Sequence, residues 1–280
     1  MADPAQSLRR NVTNAKVVTV RGGVRSERPD TVATEEPMEI RVGGPGQEAR
    51  PVAVTMRTPG GDFELATGFL FTEGLIAPGD VQRVVYCEDL LPEEQQYNVV
   101  TVTLTRPFDH EALKRNFFAT SSCGICGKAA LEDIEVRCAP VAPGPEVPAE
   151  LILSLPDALR KAQKVFERTG GLHAAGLFTA EVELVCLRED VGRHNAVDKV
   201  IGEWMLAGHT PLGDRILQVS GRVSFEIVQK AAVAGIPIVS AVSAPSSLAV
   251  DAGERLGLTV VGFVRDGRLN VYSHPERIAG

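Results

Sequence analysis

The stretch 215-RILQVSGRVSFEIVQKAAVAGIPIVSAVSAPSSLAVDAGERLGLTVVGFV-264 decides the fold. Short, nearly unbroken apolar runs at 215–219, 236–242 and 258–264 alternate with two segments of helical character at 224–234 and 246–256. Apolar runs of this kind suit strands buried on both faces, and strands joined through helices run parallel. A βαβαβ unit is therefore predicted. Asp266-Gly267 then supplies hairpin-turn chemistry, so a last strand at 269–272 folds back beside its predecessor.

Upstream, the spacing predicts a helix over 156–169, opened by Pro156 and stopped by Gly170-Gly171. Strands follow at 174–178 and 182–187, then a helix near 193–207. The first hundred residues are strand-rich, with β-branched runs at 16–21, 38–42, 51–57 and 97–104. Between them lies one helix carrying Phe63, Ala66, Phe69 and Leu70 on one face and ending at Gly74. A second helical pattern begins near Asp109, and the Pro-rich stretch 139–148 reads as a connection over the surface. The expected organisation is a mobile tail over 1–14, a smaller N-terminal α+β subdomain over 15–108, and an α/β domain over 109–280.

The chain's 280 residues are 44% hydrophobic and 23% charged, which is the composition of a folded globular protein. Its net charge of −7 argues against a nucleic-acid footprint, which needs a basic face. Five cysteines are too few for a disulfide framework and odd in number, so a reducing compartment is expected. The most apolar long stretch, 231–250, carries Pro237, Pro245 and several serines, and reads as strand, turn and helix rather than a membrane span. No export signal is visible, and a cytoplasmic protein is expected.

The strongest chemical motif is 120-TSSCGICGK-128, which runs into a predicted helix near Ala129. Helix N-termini favour anions, and Lys128 adds a positive charge; both lower a thiol pKa and raise the thiolate fraction. The flanking glycines and serines make an exposed loop rather than a core. A C-x-x-C pair can be half of a zinc site, a disulfide oxidoreductase or a carrier of sulfur. Structural zinc needs two further ligands, usually as a second close pair, whereas Cys87, Cys138 and Cys186 stand alone. A thioredoxin-like pair would follow the first strand of a βαβ unit, and this one does not. The zinc deaminases pair H-x-E with P-C-x-x-C, but here Ala175 stands two residues after His173, Ser122 precedes the first cysteine, and the chain order is reversed. No resident metal is expected. His173 then reads as a structural or pocket histidine.

A second cluster, 188-REDVGRHNAVDK-199, follows a strand and opens a helix, the place where α/β proteins put ligand groups. A solvated charged loop accounts for it equally well. His194 is its one side chain titrating near neutral pH. Three later crossovers, at 220–222, 244–247 and 263–268, lie beyond the carboxyl ends of the predicted parallel strands, and the first two enter helix N-termini suited to phosphate oxygens. Together they describe one nucleotide-sized crevice, without a G-x-G-x-x-G or Walker sequence.

These motifs, together with 36-EPMEI-40, the segment 58–74, 169-TGGLHAAG-176, 220-SGRVSFE-226 and the run 235–250, resemble the FdhD family of sulfur carrier proteins. The resemblance implies a cytidine-deaminase-like three-layer fold without the zinc chemistry. It also implies an activity: sulfur accepted as a persulfide from a cysteine desulfurase and passed to the molybdenum or tungsten bis-guanine-dinucleotide cofactor required by formate dehydrogenase. By position, Cys123 is then the persulfide-bearing residue and Cys126 its partner. The cofactor-contacting stretch falls on Phe263, Val264, Arg265, Asp266, Gly267 and Arg268. Formate dehydrogenase and a cysteine desulfurase are the implied partners, and the implied assembly is a homodimer, with no nucleic acid and no membrane. The other reading is an escort that only binds the cofactor, its thiols serving redox protection; an activated thiol loop favours the carrier.

Overall fold

The computed structural model describes residues 10–87, 97–110 and 140–280. Its centre is a six-stranded sheet in the order β13-β12-β11-β10-β8-β9. The inner strands β10 (Ile216–Val219), β11 (Ile238–Ala241) and β12 (Thr259–Arg265) are parallel, and α5 (Phe225–Val233) and α6 (Ser247–Leu256) make the crossovers. This is the predicted βαβαβ unit. β13 (Arg268–Ser273) pairs antiparallel with β12, while β8 (His173–Phe178) runs antiparallel to β10 and pairs with β9 (Leu184–Asp190) on the far edge.

Side chains alternate across these strands and feed two cores. Leu217, Val219, Val239, Ala241 and Val260 face one side with Ile227, Val228, Ala249 and Ala252 of the crossover helices. Ile216, Ile238 and Val261 face the other, under Ile152, Leu155 and Leu159 of α2 (Ala149–Ala162). The sheet is thus covered by helix on both faces. The predicted helix opening at Pro156 begins two turns earlier, and the proline lies inside it. Its missing N–H costs one helical hydrogen bond, but Ile152, Leu155 and Leu159 at helical spacing hold the segment on the sheet. A separate short helix, α3 (Lys164–Thr169), then ends at Gly170 in the left-handed conformation.

The first part of the chain forms a ribbon and a second sheet. β1 (Val12–Arg21) and β2 (Val24–Ala33) make a two-stranded ribbon turned at Gly22-Gly23, both at positive φ. A four-stranded sheet follows in the order β4-β3-β6-β5, from β3 (Glu36–Gly43), β4 (Arg50–Arg57), β5 (Val81–Tyr86) and β6 (Val99–Leu104). β2 and β5 are additions to the strands predicted from sequence. The helix α1 (Asp62–Thr72) lies between this sheet and α4 (Arg193–Leu206). Two short strands, β7 (Val147–Pro148) and β14 (Ile278–Ala279), tie the C-terminus to the start of α2.

The α1–α4 crossing joins the two sheets into one continuous core. Gly68 and Gly202 allow it, because a Cβ on Gly68 would collide with the Asp198 carbonyl and one on Gly202 with the Glu64 carbonyl. Among the described residues, no helix is long and apolar enough to cross a membrane. Both Gly68→Ala and Gly202→Ala should destabilise the protein by about 3 kcal/mol, the upper end for overpacking, because backbone rather than a movable side chain stands in the way. Urea denaturation checks this; either alanine variant as stable as the parent would contradict the close crossing.

Candidate functional site

The cysteines of the thiol loop, Cys123 and Cys126, lie outside the described residues. The three crossovers lie inside them and do meet. Val223 and Pro245 form a parallel bridge, the Ser246 N–H donates to the Val223 carbonyl at 2.9 Å, and the Phe263 N–H donates to the Ser243 carbonyl at 3.2 Å. Ser246 caps α6, its hydroxyl accepting from the Ala249 N–H at 3.2 Å, while Ser224 is the N-cap of α5 without capping it through its side chain. Instead the Ser224 hydroxyl stands 3.2 Å from Nε2 of His194.

The predicted cofactor stretch divides between the core and the surface. Phe263 is half-buried and adopts φ 54°, a strained conformation for a bulky side chain, where a register shift between Gly262 and Arg265 bends β12. Val264 is fully buried in the core under α2 and can meet a ligand only through its backbone. Arg265, Asp266, Gly267 and Arg268 are exposed at the hairpin tip, where Asp266 and Gly267 both take positive φ as a tight turn requires. The Arg265 guanidinium lies 5.7 Å from the centre of the Phe263 ring. Residues 265–268 thus form an exposed, partly cationic tip, with Phe263 and Val264 rooted in the fold behind it.

Residues 188–199 are neither a free ligand cluster nor a solvated loop. Asp190, fully buried, meets Nζ of Lys199 at 2.6 Å and accepts from the backbone of Thr58 at 3.1 Å and of Gly192 at 2.8 Å. Lys199 also donates to the Thr58 carbonyl, and Asn195 to the Met56 carbonyl. Glu189 accepts from the first N–H groups of α3, and Arg188 bridges Glu64 and Glu203. Asp198 meets Lys230 at 3.0 Å and accepts from the Thr72 hydroxyl. Burial opposes the Lys230 charge, but Asp198 and Glu73 outweigh it and hold the ammonium above its ordinary range. These groups tie β4 and α1 to α4 and the edge of the six-stranded sheet.

His173, His194 and Arg193 stand beside this network. Burial, reinforced by the Arg193 charge, lowers the His173 pKa against the pull of Asp190. Burial and Arg193 likewise push His194 down to about 4 in spite of Glu226. Arg193 Nε is buried without a partner among the described residues. His173 also borders a half-open cavity of about 570 Å³ that the sequence reading did not locate, lined by α2, α3 and the ends of β8, β10 and β11. Its lining mixes positions far apart in sequence, so no single motif announces it.

A sequence model of the FdhD/NarQ family matches residues 33–279. The chain belongs to the FdhD/NarQ family. It is 52% identical over 272 residues to the sulfur carrier protein FdhD of Streptomyces avermitilis, covering 94% of each chain. The sulfur carrier protein FdhD of Sulfolobus acidocaldarius is 46% identical over 268 residues, covering 95% of this chain and 98% of its own. The fold is similar to the crystal structure of a protein described as a formate dehydrogenase accessory protein from Desulfotalea psychrophila, with a TM-score of 0.74 and 28% identity over 96% of this chain and 100% of that one.

His194 gives a pH test of the site's packing. Its folded pKa lies below its ordinary 6.5, so its contribution to stability is fully present above pH 6.5 and is lost as the pH falls toward 4. The parent should lose more unfolding free energy between pH 7 and pH 5 than His194→Gln. Equal losses, or an NMR titration of His194 near 6.5, would contradict the half-buried placement beside Arg193.

Proposed function

We propose that this chain is a sulfur carrier for the maturation of a formate dehydrogenase, working in the reducing cytoplasm as a homodimer. What supports this reading most is its relationship to proteins named sulfur carrier protein FdhD, 52% identical across 94% of the chain. The loop 121-SSCGICGK-128 adds the chemistry that a carrier needs. In this reading the Cys123 thiolate attacks the terminal sulfur of a persulfide on a cysteine desulfurase. The S–S bond on the desulfurase breaks, its thiolate leaves, and a persulfide forms on Cys123 with no net oxidation. For delivery, Cys126 attacks the Cys123 sulfur, closing a disulfide and releasing hydrosulfide. A dithiol reductant then resets the pair.

The acceptor is the molybdenum or tungsten bis-guanine-dinucleotide cofactor, bound here as substrate. Hydrosulfide with one proton from solvent would replace an oxo ligand of its metal by a sulfido ligand, releasing water. The exposed 265–268 tip, with the half-buried Phe263 ring beside it, offers an aromatic ring and two guanidinium groups to one guanine nucleotide of that cofactor. A cytidine-deaminase-like three-layer ancestry fits a mixed sheet covered by helices on both faces; Ala175, where the deaminase acid/base would sit, fits the loss of hydrolytic zinc chemistry.

Cys123→Ala should abolish maturation of formate dehydrogenase and the gain of one sulfur atom seen by intact-mass measurement after incubation with a desulfurase and cysteine. Cys126→Ala should retain the persulfide but deliver it poorly. A Cys123→Ala variant that matures the enzyme normally would remove the carrier role and leave the escort. Arg265→Ala and Arg268→Ala, together, should weaken guanosine diphosphate binding by about ten-fold or more, the loss of a charge-assisted contact. Calorimetry reads this, and unchanged affinity would move the nucleotide away from the hairpin tip.

A further inference from the structure

The ribbon of β1 and β2 stands clear of the two sheets. Each strand is 10 residues long, among the described residues they pair only with each other, and Val18, Val20 and Val24 are 50%, 61% and 70% exposed. Its foot is fixed. β2 packs beside α3, and Ala33 lies against Gly171 just after it. A two-stranded hairpin is marginal in water by itself, and an apolar strand with an unpaired edge is a template for another strand. The two outer edges of the ribbon differ. β2 is guarded by Pro29, which has no N–H to give, and by Glu27 and the Arg28–Asp30 pair. β1 has neither proline nor acid, and presents Val18 and Val20 between Lys16 and Arg21.

A second unfinished edge belongs to the six-stranded sheet. β9 has β8 on one side and, among the described residues, no strand on the other. At its start Leu184 and Val185 are exposed, and just before them stand the exposed acids Glu181 and Glu183, neither with an ion-pair partner among the described residues. The remaining charges of β9 are engaged within the chain: Arg188 by Glu64 and Glu203, Glu189 by the first N–H groups of α3, and Asp190 by Lys199. On the ribbon, Lys16, Arg21 and Arg25 are likewise exposed and without ion pairs among the described residues. One copy does not bring these surfaces together. Its ribbon leaves beside α3, at the Glu189 end of β9, and pairs with no part of that strand.

We propose that two copies of the chain exchange ribbons, β1 of each adding antiparallel to the free edge of the other's β9, with Arg21 and Arg25 set against Glu181 and Glu183. A second copy is the occupant because the cationic strand and the acid-flanked edge are carried by the same chain, so that reciprocal exchange closes a twofold pair in which each ribbon and each β9 edge is covered. Direction follows from charge. Antiparallel pairing brings the arginine tip to the acidic start of β9, whereas parallel pairing would carry it toward Arg188. Each ribbon supplies two strands of 10 residues, which suits a standard interface of about 20–30 residues a side. The dimer itself is part of the functional reading above; the surfaces that form it rest on exposure, strand edges and charge alone.

Sedimentation equilibrium of the full chain tests this. The parent should be a dimer that added salt weakens. Arg21→Glu/Arg25→Glu should weaken it by about ten-fold or more, and so should Glu181→Arg/Glu183→Arg, because each sets like charges against each other at both junctions. All four positions are exposed, so both variants should keep the parent's circular dichroism and melting temperature. Mixed one to one, the two variants should recover the dimer: the acidic ribbon of one meets the arginine edge of the other, and the two unaltered surfaces meet as before. If neither variant changes the assembly, or if the mixture fails to recover it, the exchange is overturned. A monomeric parent also overturns it, and the dimer of the functional reading with it; loss of affinity for the dehydrogenase in the Arg21→Glu/Arg25→Glu variant would then assign the ribbon to that partner. Sulfur loading of Cys123, read by intact mass on the same samples, reports separately on the carrier reading.

Discussion

The contact of α1 with α4, backbone against backbone at Gly68 and Gly202, is the constraint on which the rest of the structure depends. Helices that close leave no space for water, so every polar group near the crossing must find a protein partner. The buried charges answer this. Arg57 is held by Asp62 at 2.8 Å, Lys199 by Asp190 at 2.6 Å, and Lys230 by Asp198 at 3.0 Å, and the last two pairs also reach across to the Thr58 backbone and the Thr72 hydroxyl at the two ends of α1. Removing one member of such a pair strands the other in low dielectric, which costs far more than the pair contributes in excess of an apolar replacement. The network therefore specifies how the two sheets meet more than it adds to net stability.

That arrangement positions the edge where the parallel strands end. Asp190 ends β9 and fixes the Gly192 N–H at the start of α4, which places Arg193 and His194 beside the amino end of α5. On the same edge, the ends of β8, β10 and β11 open into the cavity and β12 bends outward at Phe263. Ligands of α/β sheets gather where parallel strands end, and this sheet offers two surfaces there: a half-open cavity of mixed polar and apolar lining and an exposed, partly cationic hairpin tip.

The C-terminal half was legible because its signals are local. Continuous apolar runs report strands buried on both faces, and Asp266-Gly267 reports a tight hairpin by its own backbone preferences. Other features depend on distant partners. β2, with Arg25, Glu27, Arg28 and Asp30, shows little apolar alternation and exists through its ladder with β1. Pro156 looks like a helix start by position preference, yet apolar packing of Ile152 and Leu155 carries the helix past it. Residues 188–199 look like a ligand cluster because charge density does not reveal burial; only Thr58, Glu64 and Thr72, more than a hundred residues earlier, show why Arg188, Asp190 and Asp198 are there. The cavity was hidden for the same reason, its lining coming from helix, loop and strand ends. Cys123 and Cys126 carried their own signal, a glycine-rich C-x-x-C beside a lysine, and remain a reading of the sequence.

The most direct test of the account is to follow one labelled sulfur atom. The protein is charged by a cysteine desulfurase with isotopically labelled cysteine, desalted, and presented to a formate dehydrogenase that contains its metal cofactor but lacks the sulfido ligand. The account predicts that the label leaves the carrier and arrives at the metal centre in step with the gain of formate oxidation. Activation of the dehydrogenase with the label still on the carrier, or with none acquired by the enzyme, would contradict it.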